Sequence, residues 1–253
     1  MFFFRKKNAS DANASSLLAF MGTDLHSHLL PAVDDGVQDV ATSVHFITAL
    51  QEMGIRQIIT TPHVMMDRFP NSAATLAGPY QQVLQALQSA GNPISFSHAG
   101  EYYLDESLPQ LLQQPLMKIF GNVVLVEMSF MSAPPQIFQW LFDIQTAGYQ
   151  VLLAHPERYN YYHQQPEMYA RYRERGCMLQ VNLLSLTGYY GKHIKTAAEY
   201  LLQKGLADYI GTDLHHHKHL EAIRDIANNR KLRALLESYP FKNAAIPIAN
   251  VPV

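Results

Sequence analysis

Imidazole and carboxylate side chains recur just after the strands that this sequence predicts. The pair His26 and His28 follows the first strand, His63 follows the second, and Asp213 with His215 follows the last. Side chains alternate between the two faces of an extended segment, so both imidazoles of a His-x-His pair lie on one side and can reach the same ion. Imidazole together with carboxylate is typical of Zn²⁺, Mn²⁺ or Fe²⁺ sites rather than of thiolate sites. These residue types therefore predict bound divalent metal ions.

Residues of this kind follow six of the seven predicted strands, and we interpret them as one site. Taken alone, His63 or Glu101 would be explained as a structural residue, but the recurrence indicates a shared chemistry. The predicted metal ligands are His26, His28, Asp35, His63, Glu101, Glu127, His155, Asp213 and His215. Four of these are carboxylates, so two divalent ions would only neutralise them, whereas three would leave a positive pocket that can hold phosphate. We therefore expect three ions.

Arg158 lies three residues after His155, in the loop that follows a predicted strand. Its planar guanidinium suits the oxygens of a phosphate group, so we predict that Arg158 binds substrate phosphate; an ordinary salt bridge is the alternative. We predict Arg158, His155 and Asp213 as the catalytic residues. Bound divalent ions can lower the pKa of water from 15.7 to about 7, which suits hydrolysis of a phosphomonoester at neutral pH.

The single cysteine, Cys177, does not fit the alternative of a cysteine-dependent phosphatase. Such an enzyme needs an arginine six positions after its nucleophile, where this chain has Leu183. We therefore predict that Cys177 is a small buried side chain. The loops are also rich in tyrosines, which either wall a pocket for an aromatic substrate or pack at its rim. These tyrosines are Tyr102, Tyr103, Tyr159, Tyr161, Tyr162, Tyr189 and Tyr190.

Seven short β-rich runs alternate with amphipathic helical segments along the chain. Most of the runs are continuously apolar, which is typical of strands buried on both faces of a parallel sheet. The predicted strands are Thr23–Leu25, Gln57–Thr60, Ile94–His98, Val123–Val126, Val151–Ala154, Leu179–Val181 and Tyr209–Gly211. The alternation favours a closed or nearly closed β/α barrel, in which the residues after the strands share one rim. An open doubly wound sheet is the alternative, although no glycine-rich phosphate loop follows the first strand.

The composition indicates a folded protein of a reducing compartment. Of 253 residues, 48% are hydrophobic and 16% are charged, which excludes a disordered chain. The formal net charge is −2 without a Lys/Arg stripe, so we expect no nucleic-acid partner. No run reaches the about 20 apolar residues of a membrane-spanning helix, so we expect no transmembrane segment and a cytoplasmic location. We predict a flexible N-terminal arm (residues 1–16), one catalytic domain (residues 17–239) and a C-terminal tail (residues 240–253).

In their order along the chain, the motifs resemble those of the PHP (polymerase and histidinol phosphatase) superfamily. They are His-x-His, Asp-Asp-Gly, Thr-Pro-His, Gly-Glu, Val-Glu-Met, Ala-His-Pro-Glu-Arg and Asp-x-His, and the resemblance extends from about Gly22 to Arg224. Two runs, residues 30–36 and 154–158, resemble one branch in particular. That branch is the bacterial capsular-polysaccharide-type protein-tyrosine phosphatases.

The resemblance implies a distorted (β/α)₇ barrel of the PHP type with a trinuclear metal centre, in which Mn²⁺ is favoured and Zn²⁺ or Fe²⁺ are alternatives. It also implies that Glu101 bridges two ions and that Arg158 contacts phosphate. The implied ligands are His26, His28, Glu101 and Asp213 for the first ion, Glu101, Glu127 and His155 for the second, and Asp35, His63 and His215 for the third. A basic residue that the family often has near the position of Leu220 is absent, and Lys218 or His219 are its candidate replacements.

The function that the resemblance implies is metal-dependent hydrolysis of phosphotyrosine. The expected protein substrate is a bacterial tyrosine kinase that controls capsular or exopolysaccharide synthesis and export, which would bring the protein to the inner membrane as a peripheral protein. The residues alone leave three alternatives open. These are a PHP small-molecule phosphatase of the histidinol-phosphate type, a nuclease-like phosphodiesterase, which the near-neutral charge disfavours, and a non-catalytic metal-binding partner of the kinase.

Overall fold

Nine short strands in two parallel sheets form the framework of residues 16–248, the part of the chain that this computed structural model describes. The first sheet has the order β1-β2-β4 and the second has the order β3-β5-β6-β7-β8-β9. The strands are β1 (Thr23–Asp24), β2 (Gln57–Thr60), β3 (His63–Val64), β4 (Ser95–His98), β5 (Glu101–Tyr103), β6 (Val123–Glu127), β7 (Gln150–Ala154), β8 (Met178–Asn182) and β9 (Tyr209–Gly211). Each of the seven predicted strands overlaps one of these, and β3 and β5 are additional.

The two sheets continue into one another through two broken strands. β3 begins shortly after β2 ends, and β5 begins shortly after β4 ends. Hydrogen bonds carry the pairing across both breaks, since Ala99 N donates to Thr60 O (2.8 Å) and Glu101 N donates to Pro62 O (2.9 Å). Pro62 has no N–H to donate, and a Cβ on Gly100 would lie 2.8 Å from a valine side chain. The residue types at the breaks thus account for them.

The segments that follow β1 and β9 lie side by side and join the two remaining edges. Ser27 forms a parallel bridge with Leu214. Backbone hydrogen bonds flank the bridge, from His28 N to Leu214 O (3.0 Å) and from Asp213 N to His26 O (2.8 Å). The strands therefore enclose an interior, and their carboxyl ends meet at one rim. This closure brings the first and last motifs of the sequence together.

Residues 16–248 contain nine α-helices, of which seven lie between strands and the last two follow β9. They are α1 (Val40–Glu52), α2 (Ala73–Ser89), α3 (Leu108–Leu111), α4 (Ile137–Thr146), α5 (Glu167–Glu174), α6 (Leu183–Thr187), α7 (Lys192–Gln203), α8 (His217–Asp225) and α9 (Arg230–Ser238). Side chains cap the first two, since Asp39 accepts a hydrogen bond from Thr42 N and Ser72 forms a capping box with Thr75. None of these described helices is long and apolar enough to span a membrane.

Two apolar clusters lie on opposite faces of the strands. On β6, Val124 and Val126 belong to the larger cluster, which includes side chains of the helices. Val123 and Leu125 belong to a smaller inner cluster, which contains side chains from the strands and their connections together with Ile246. Because both faces of β6 are buried, its sequence is continuously apolar rather than alternating. The described residues thus form one mixed α/β unit with parallel sheets.

Residues 240–248, which the sequence assigns to a C-terminal tail, pack against this framework. The buried Asn243 amide donates to Thr23 O (2.9 Å) and Ile210 O (2.7 Å) and accepts from Ile210 N (3.0 Å), so it links β1 to β9. Ile246 is buried in the inner cluster. One amide and one isoleucine have no periodicity, which is why the sequence pattern does not assign them to the fold. The predicted arm, apart from Ser16, and residues 249–253 of the predicted tail lie outside the described residues.

Candidate metal centre

All nine predicted metal ligands converge at the rim formed by the carboxyl ends of the strands. A cavity of about 280 Å³ opens there. It is lined by Asp35, His63, Glu101, Glu127, Phe130, His155, Arg158, Tyr190, Asp213, His215, His216 and His219. The other two predicted ligands, His26 and His28, are fully buried, and their rings lie beside those of His155 and His215. The strand order thus brings distant parts of the sequence to one place.

The predicted ligands lie at or beyond the carboxyl ends of the strands. His63 opens β3 and Glu101 opens β5, so the two strand breaks place these residues beyond the ends of β2 and β4. Glu127 is the last residue of β6, and His155 directly follows β7. The paired segments after β1 and β9 supply the remaining imidazoles and the Asp213 carboxylate. This is the rim at which β/α folds gather their functional residues.

Four sets of ligand atoms in the described residues are compact enough to hold an ion. Within each set the ligand atoms lie within 4.8 Å of one another. The sets are His28, Asp35, His63 and His215; His26, Glu101 and His155; His26, His28 and Asp213; and His63, Glu101 and Glu127. Several side chains belong to two sets, so the sets describe adjacent positions of one cluster rather than separate sites.

Glu101 lies at the centre of this cluster. Its Oε1 is 3.2 Å from Nε2 of both His26 and His155, and its Oε2 is 3.1 Å from Nδ1 of His63. Both oxygens are buried, and neither accepts a hydrogen bond. Burial opposes ionisation, but His26 and His63 outweigh it and hold the pKa of Glu101 well below its usual range. A buried carboxylate without hydrogen bonds is costly unless a cation satisfies it, so this donor set fits divalent metal ions.

Hydrogen bonds orient three imidazoles so that Nε2 faces the cluster. Nδ1 of His26 lies 2.8 Å from Oε1 of Gln180, and Nδ1 of His28 lies 2.7 Å from Oδ2 of Asp34. A backbone carbonyl holds Nδ1 of His215 in the same way, at 2.9 Å. Each partner is an acceptor, so Nδ1 donates and Nε2 keeps a lone pair for a metal ion. Histidine ligands of metals are typically held by such acceptors.

The imidazoles of the cluster differ in how readily they bind a proton. Burial disfavours a charged imidazole at His28, but the Asp34 carboxylate outweighs it and raises the pKa of His28 to about 10. At His215, burial together with the charge of His28 lowers the pKa to about 4. Protons and metal ions compete for the same lone pairs, so binding of a divalent cation would release protons from the cluster.

Two of the predicted catalytic residues have left-handed backbone conformations. The angle φ is 33° at His155 and 51° at Asp213, a region that costs residues other than glycine about 1–3 kcal/mol.

Oδ2 of Asp213 accepts hydrogen bonds from Asn182 Nδ2 (2.6 Å) and Arg158 Nη1 (2.8 Å). Its Oδ1 lies 3.4 Å from Nε2 of His26. Asn182 lies at the end of the one predicted strand that has no predicted ligand. Its amide thus helps to hold the Asp213 carboxylate in place.

Arg158 lies at the mouth of the cavity between two aromatic rings. Its guanidinium carbon is 4.9 Å from the ring centroid of Phe130 and 4.4 Å from that of Tyr190. Arg158 forms the salt bridge that the sequence leaves open, with Asp213, and it also lines the cavity. Rings on the guanidinium restrict its orientation. The result is a fixed set of donors on the cavity wall, beside the predicted metal ligands.

The other predicted features are divided between the cavity, the core and the surface. Cys177 is buried, and burial raises the pKa of its thiol to about 12, in keeping with a packing role. Tyr190 lines the cavity, whereas Tyr159 is buried in the core. Of the two candidate basic residues near the end of the motif series, His219 lines the cavity and Lys218 is exposed outside it.

Three polar residues to which the sequence analysis gives no role support the ligands. Asp34 also accepts a hydrogen bond from His63 N (3.0 Å), and Glu157 accepts one from Asn182 N (2.8 Å). Gln180 holds His26, as described above. Asp34 and Glu157 lie within recognised motifs, which is a usable signal, while Gln180 is visible only as a polar residue in an otherwise apolar strand.

Sequence relatives of this chain are phosphatases by name. Residues 22–230 match the family described as "Capsular polysaccharide synthesis, CpsB/CapC". Tyrosine-protein phosphatase YwqE of Bacillus subtilis (strain 168) is 30% identical over 197 residues, which cover 77% of this chain and 78% of that protein. Tyrosine-protein phosphatase CpsB of Streptococcus agalactiae serotype V is 25% identical over 199 residues, which cover 76% of this chain and 82% of that protein.

Solved structures agree with these relatives. A chain from the crystal structures of YwqE from Bacillus subtilis and CpsB from Streptococcus pneumoniae, described as unique metal-dependent tyrosine phosphatases, matches with a TM-score of 0.72 and 28% identity over 85% of this chain and 90% of that chain. The lactonase Lmo2620 from Listeria monocytogenes shares the fold alone, with a TM-score of 0.55 and 14% identity over 93% of this chain and 97% of that chain. The sequence, the fold and the convergent ligands agree that this chain belongs to the CpsB/CapC family of capsular polysaccharide synthesis.

Proposed function

We propose that this chain is a metal-dependent protein-tyrosine phosphatase, a phosphoric monoester hydrolase. One observation carries the proposal: the buried Glu101 carboxylate is surrounded by imidazole nitrogens, accepts no hydrogen bond, and shares its cavity with the Arg158 guanidinium. Such a site holds cations and an anion side by side, as hydrolysis of a phosphate ester requires. Relatives named as tyrosine-protein phosphatases support the substrate class.

As the finer architecture we propose a distorted (β/α)₇ barrel of the PHP type, in which β2 with β3 and β4 with β5 count as single broken strands. We further propose three divalent ions, with Mn²⁺ favoured and Zn²⁺ or Fe²⁺ as alternatives. The compact sets of ligand atoms support this number, because they overlap the three ligand groups that the resemblance implies. These groups are His26, His28, Glu101 and Asp213; Glu101, Glu127 and His155; and Asp35, His63 and His215.

Bound ions would supply an acidified water and positive charge for the phosphoryl oxygens. The protein positions the substrate through Arg158, whose N–H groups donate to nonbridging phosphate oxygens. The rings of Phe130 and Tyr190 fix the orientation of the guanidinium plane, and the Asp213 carboxylate pairs with its positive charge. Tyrosine has a pKa near 10, so its phenolate leaves with less proton donation than an alkoxide requires. No covalent phosphoenzyme is expected, since Cys177 is buried away from the cavity.

We propose that the protein substrate is a bacterial tyrosine kinase of capsular or exopolysaccharide synthesis and export. The family match supports this partner, because the family is described by capsular polysaccharide synthesis. Binding to such a kinase would place the protein in the cytoplasm, peripheral to the inner membrane.

Hydrolysis rates on a tyrosine-phosphorylated peptide and on histidinol phosphate, each with and without a chelator, test the proposal. We expect chelator-sensitive hydrolysis with the peptide as the better substrate. Faster turnover of histidinol phosphate would instead identify a small-molecule phosphatase, and rapid cleavage of single-stranded DNA would identify a phosphodiesterase. Tight binding to the kinase without turnover by metal-loaded protein would identify a non-catalytic partner.

A further inference from the structure

Three apolar side chains are exposed on the two segments that place Phe130 and Tyr190 against the Arg158 guanidinium. Phe130 is 45% exposed, Met131 is 89% exposed and Tyr189 is 42% exposed. They are three of the six large apolar side chains that are exposed in the described part of the chain. We call Phe130, Met131 and Tyr189 the apolar lip. Exposed apolar side chains that cluster at one place mark a binding surface.

The loop that carries Phe130 and Met131 is held firmly against the cavity. The hydroxyl of Tyr159 accepts a hydrogen bond from Met128 N (2.9 Å), and the hydroxyl of Tyr161 donates to Ser129 O (2.9 Å). The Phe130 ring stacks on the His155 ring with 5.6 Å between centroids. These contacts fix the position at which Met131 projects into solvent.

Tyr189, the third residue of the lip, is held in place by two rings that line the cavity. Tyr189 packs edge-on against Tyr190 (5.1 Å between centroids) and against His219 (5.2 Å). Tyr190 and His219 both line the cavity, and Tyr190 covers the guanidinium of Arg158. The lip is therefore continuous with the wall that holds the phosphate-binding arginine.

We infer that the apolar lip binds the residues next to phosphotyrosine in a protein substrate. The inference rests on the proposed function and names the part of the site that recognises the polypeptide. Phosphate held by Arg158 brings the tyrosyl ring past Phe130, which contacts the same guanidinium. The polypeptide on either side of the phosphotyrosine then lies on Met131 and Tyr189.

The position of Met131 distinguishes binding of a polypeptide from binding of a small phosphate ester. Met131 does not line the cavity, so a small ester held inside the cavity gains nothing from that side chain. A polypeptide leaving the cavity does pass over it. Because the lip carries no charge and methionine adapts to varied shapes, an apolar residue beside the phosphotyrosine is the chemistry that it favours.

Steady-state kinetics of metal-loaded protein test the inference. The substrates are p-nitrophenyl phosphate and two phosphotyrosine peptides that differ only in the residue beside phosphotyrosine, leucine or serine. The variants are Met131→Ser and, as a matched control, Phe142→Ser, whose ring is 59% exposed on α4. We expect Met131→Ser to raise KM for the leucine peptide about fivefold, which corresponds to about 1 kcal/mol. Its rate on p-nitrophenyl phosphate, and all rates of Phe142→Ser, should match wild type.

Three results would overturn the inference. The first is equal KM values for the two peptides in wild-type protein, and the second is the same KM for the leucine peptide in Met131→Ser and wild type. The third is loss of binding to anionic vesicles by Met131→Ser with unchanged peptide kinetics, which would assign the lip to a membrane surface. If wild-type protein shows no chelator-sensitive hydrolysis of p-nitrophenyl phosphate, the proposed function itself fails, and the inference fails with it.

Discussion

Asn243 near the amino ends of the parallel strands and Glu101 at their carboxyl ends are both buried, but they differ in their hydrogen bonding. Towards the amino ends, the Asn243 amide makes three hydrogen bonds with backbone groups of Thr23 and Ile210. At the carboxyl ends, the Glu101 oxygens and Nδ1 of His155 are buried without a hydrogen-bond partner. Paired polar groups stabilise a fold, whereas buried groups left unpaired need a ligand to explain them.

Backbone strain follows the same division. Within residues 16–248, the residues other than glycine with left-handed φ are Ala32, His155 and Asp213. All three lie at the carboxyl rim or in the loops that supply its ligands. One end of the strands therefore keeps the framework closed, while the other end gathers the strained backbone and the unpaired polar groups. Substitutions at the rim should therefore change activity, and substitutions at the opposite end should change stability.

Glu101→Gln should give the largest effect on activity. It removes the charge at the centre of the cluster, so we expect loss of bound metal and a fall in kcat of about 10³-fold. The metal-free variant should unfold below the wild-type Tm, because the substitution removes the buried carboxylate that offsets the charge of His63. Metal analysis, turnover of a phosphotyrosine peptide and thermal unfolding in chelator measure these effects. Wild-type metal content with wild-type rates would refute the central position of Glu101.

Arg158→Ala should lower kcat/KM by about 10²-fold while leaving the metal content unchanged, because we propose that this side chain binds phosphate and not metal. Arg175→Ala is a matched control, since that guanidinium also lies on an aromatic face, 4.3 Å from the Phe138 ring centroid, outside the cavity. The control should retain full activity. Equal losses in both variants would mean that Arg158 acts through packing alone.

Asp34→Asn should weaken metal binding by about 10–100-fold, because one carboxylate oxygen becomes an NH₂ group and the remaining oxygen cannot accept from both His28 Nδ1 and Gly36 N. Asp39→Asn serves as the comparison, since Asp39 caps α1 at an exposed position and asparagine caps equally well. Titration of metal into both variants gives the affinities. The same affinity in both would place Asp34 outside the support of the cluster.

Asn243→Ala tests the opposite end of the strands. It leaves backbone groups of Thr23 and Ile210 without partners, so we expect the free energy of unfolding to fall by about 2–3 kcal/mol. Urea denaturation of the metal-free protein measures the loss. The folded, metal-loaded variant should keep its kcat, and a selective loss of kcat without a loss of stability would break the division between the two ends.

Cys177→Ser should have the smallest effect on catalysis. Cys177 directly precedes β8, away from the cavity, and its raised thiol pKa of about 12 leaves almost no thiolate at neutral pH. We expect unchanged kcat in the variant and no inactivation of wild-type protein by iodoacetamide at pH 7.5. Rapid inactivation by the reagent would call for a role of the thiol in the reaction.

Most of the predicted strands are recognisable because burial on both faces makes them continuously apolar, as in β6 and β7. The breaks after β2 and β4 are not predictable in this way. Pro62 and Gly100 indicate that a strand ends there, but they do not indicate that strand pairing resumes beyond them. Asn243 and Ile246 escape prediction for a different reason. Their effect depends on the distant strands they contact, and no local pattern records that contact.

Candidate ligands can be predicted from residue type and from their places after strands, but neighbouring aspartates show the limit. Asp34 is buried and holds His28, while the side chain of Asp35 is 46% exposed and its Oδ1 is 3.4 Å from Nε2 of His63. Which aspartate faces inward depends on the turn at Gly36, where a Cβ would lie 2.3 Å from His28 O. That close approach is a tertiary contact, so the sequence alone does not separate the two roles.

A crystal structure of the protein grown with MnCl₂, with anomalous diffraction data collected at the manganese edge, tests the central claim most directly. We expect anomalous peaks inside the rim cavity, with Glu101 ligating two of them and Nε2 of His26 and His28 directed at one. A map without anomalous peaks among these side chains, at manganese concentrations that support hydrolysis of a phosphotyrosine peptide, would contradict it.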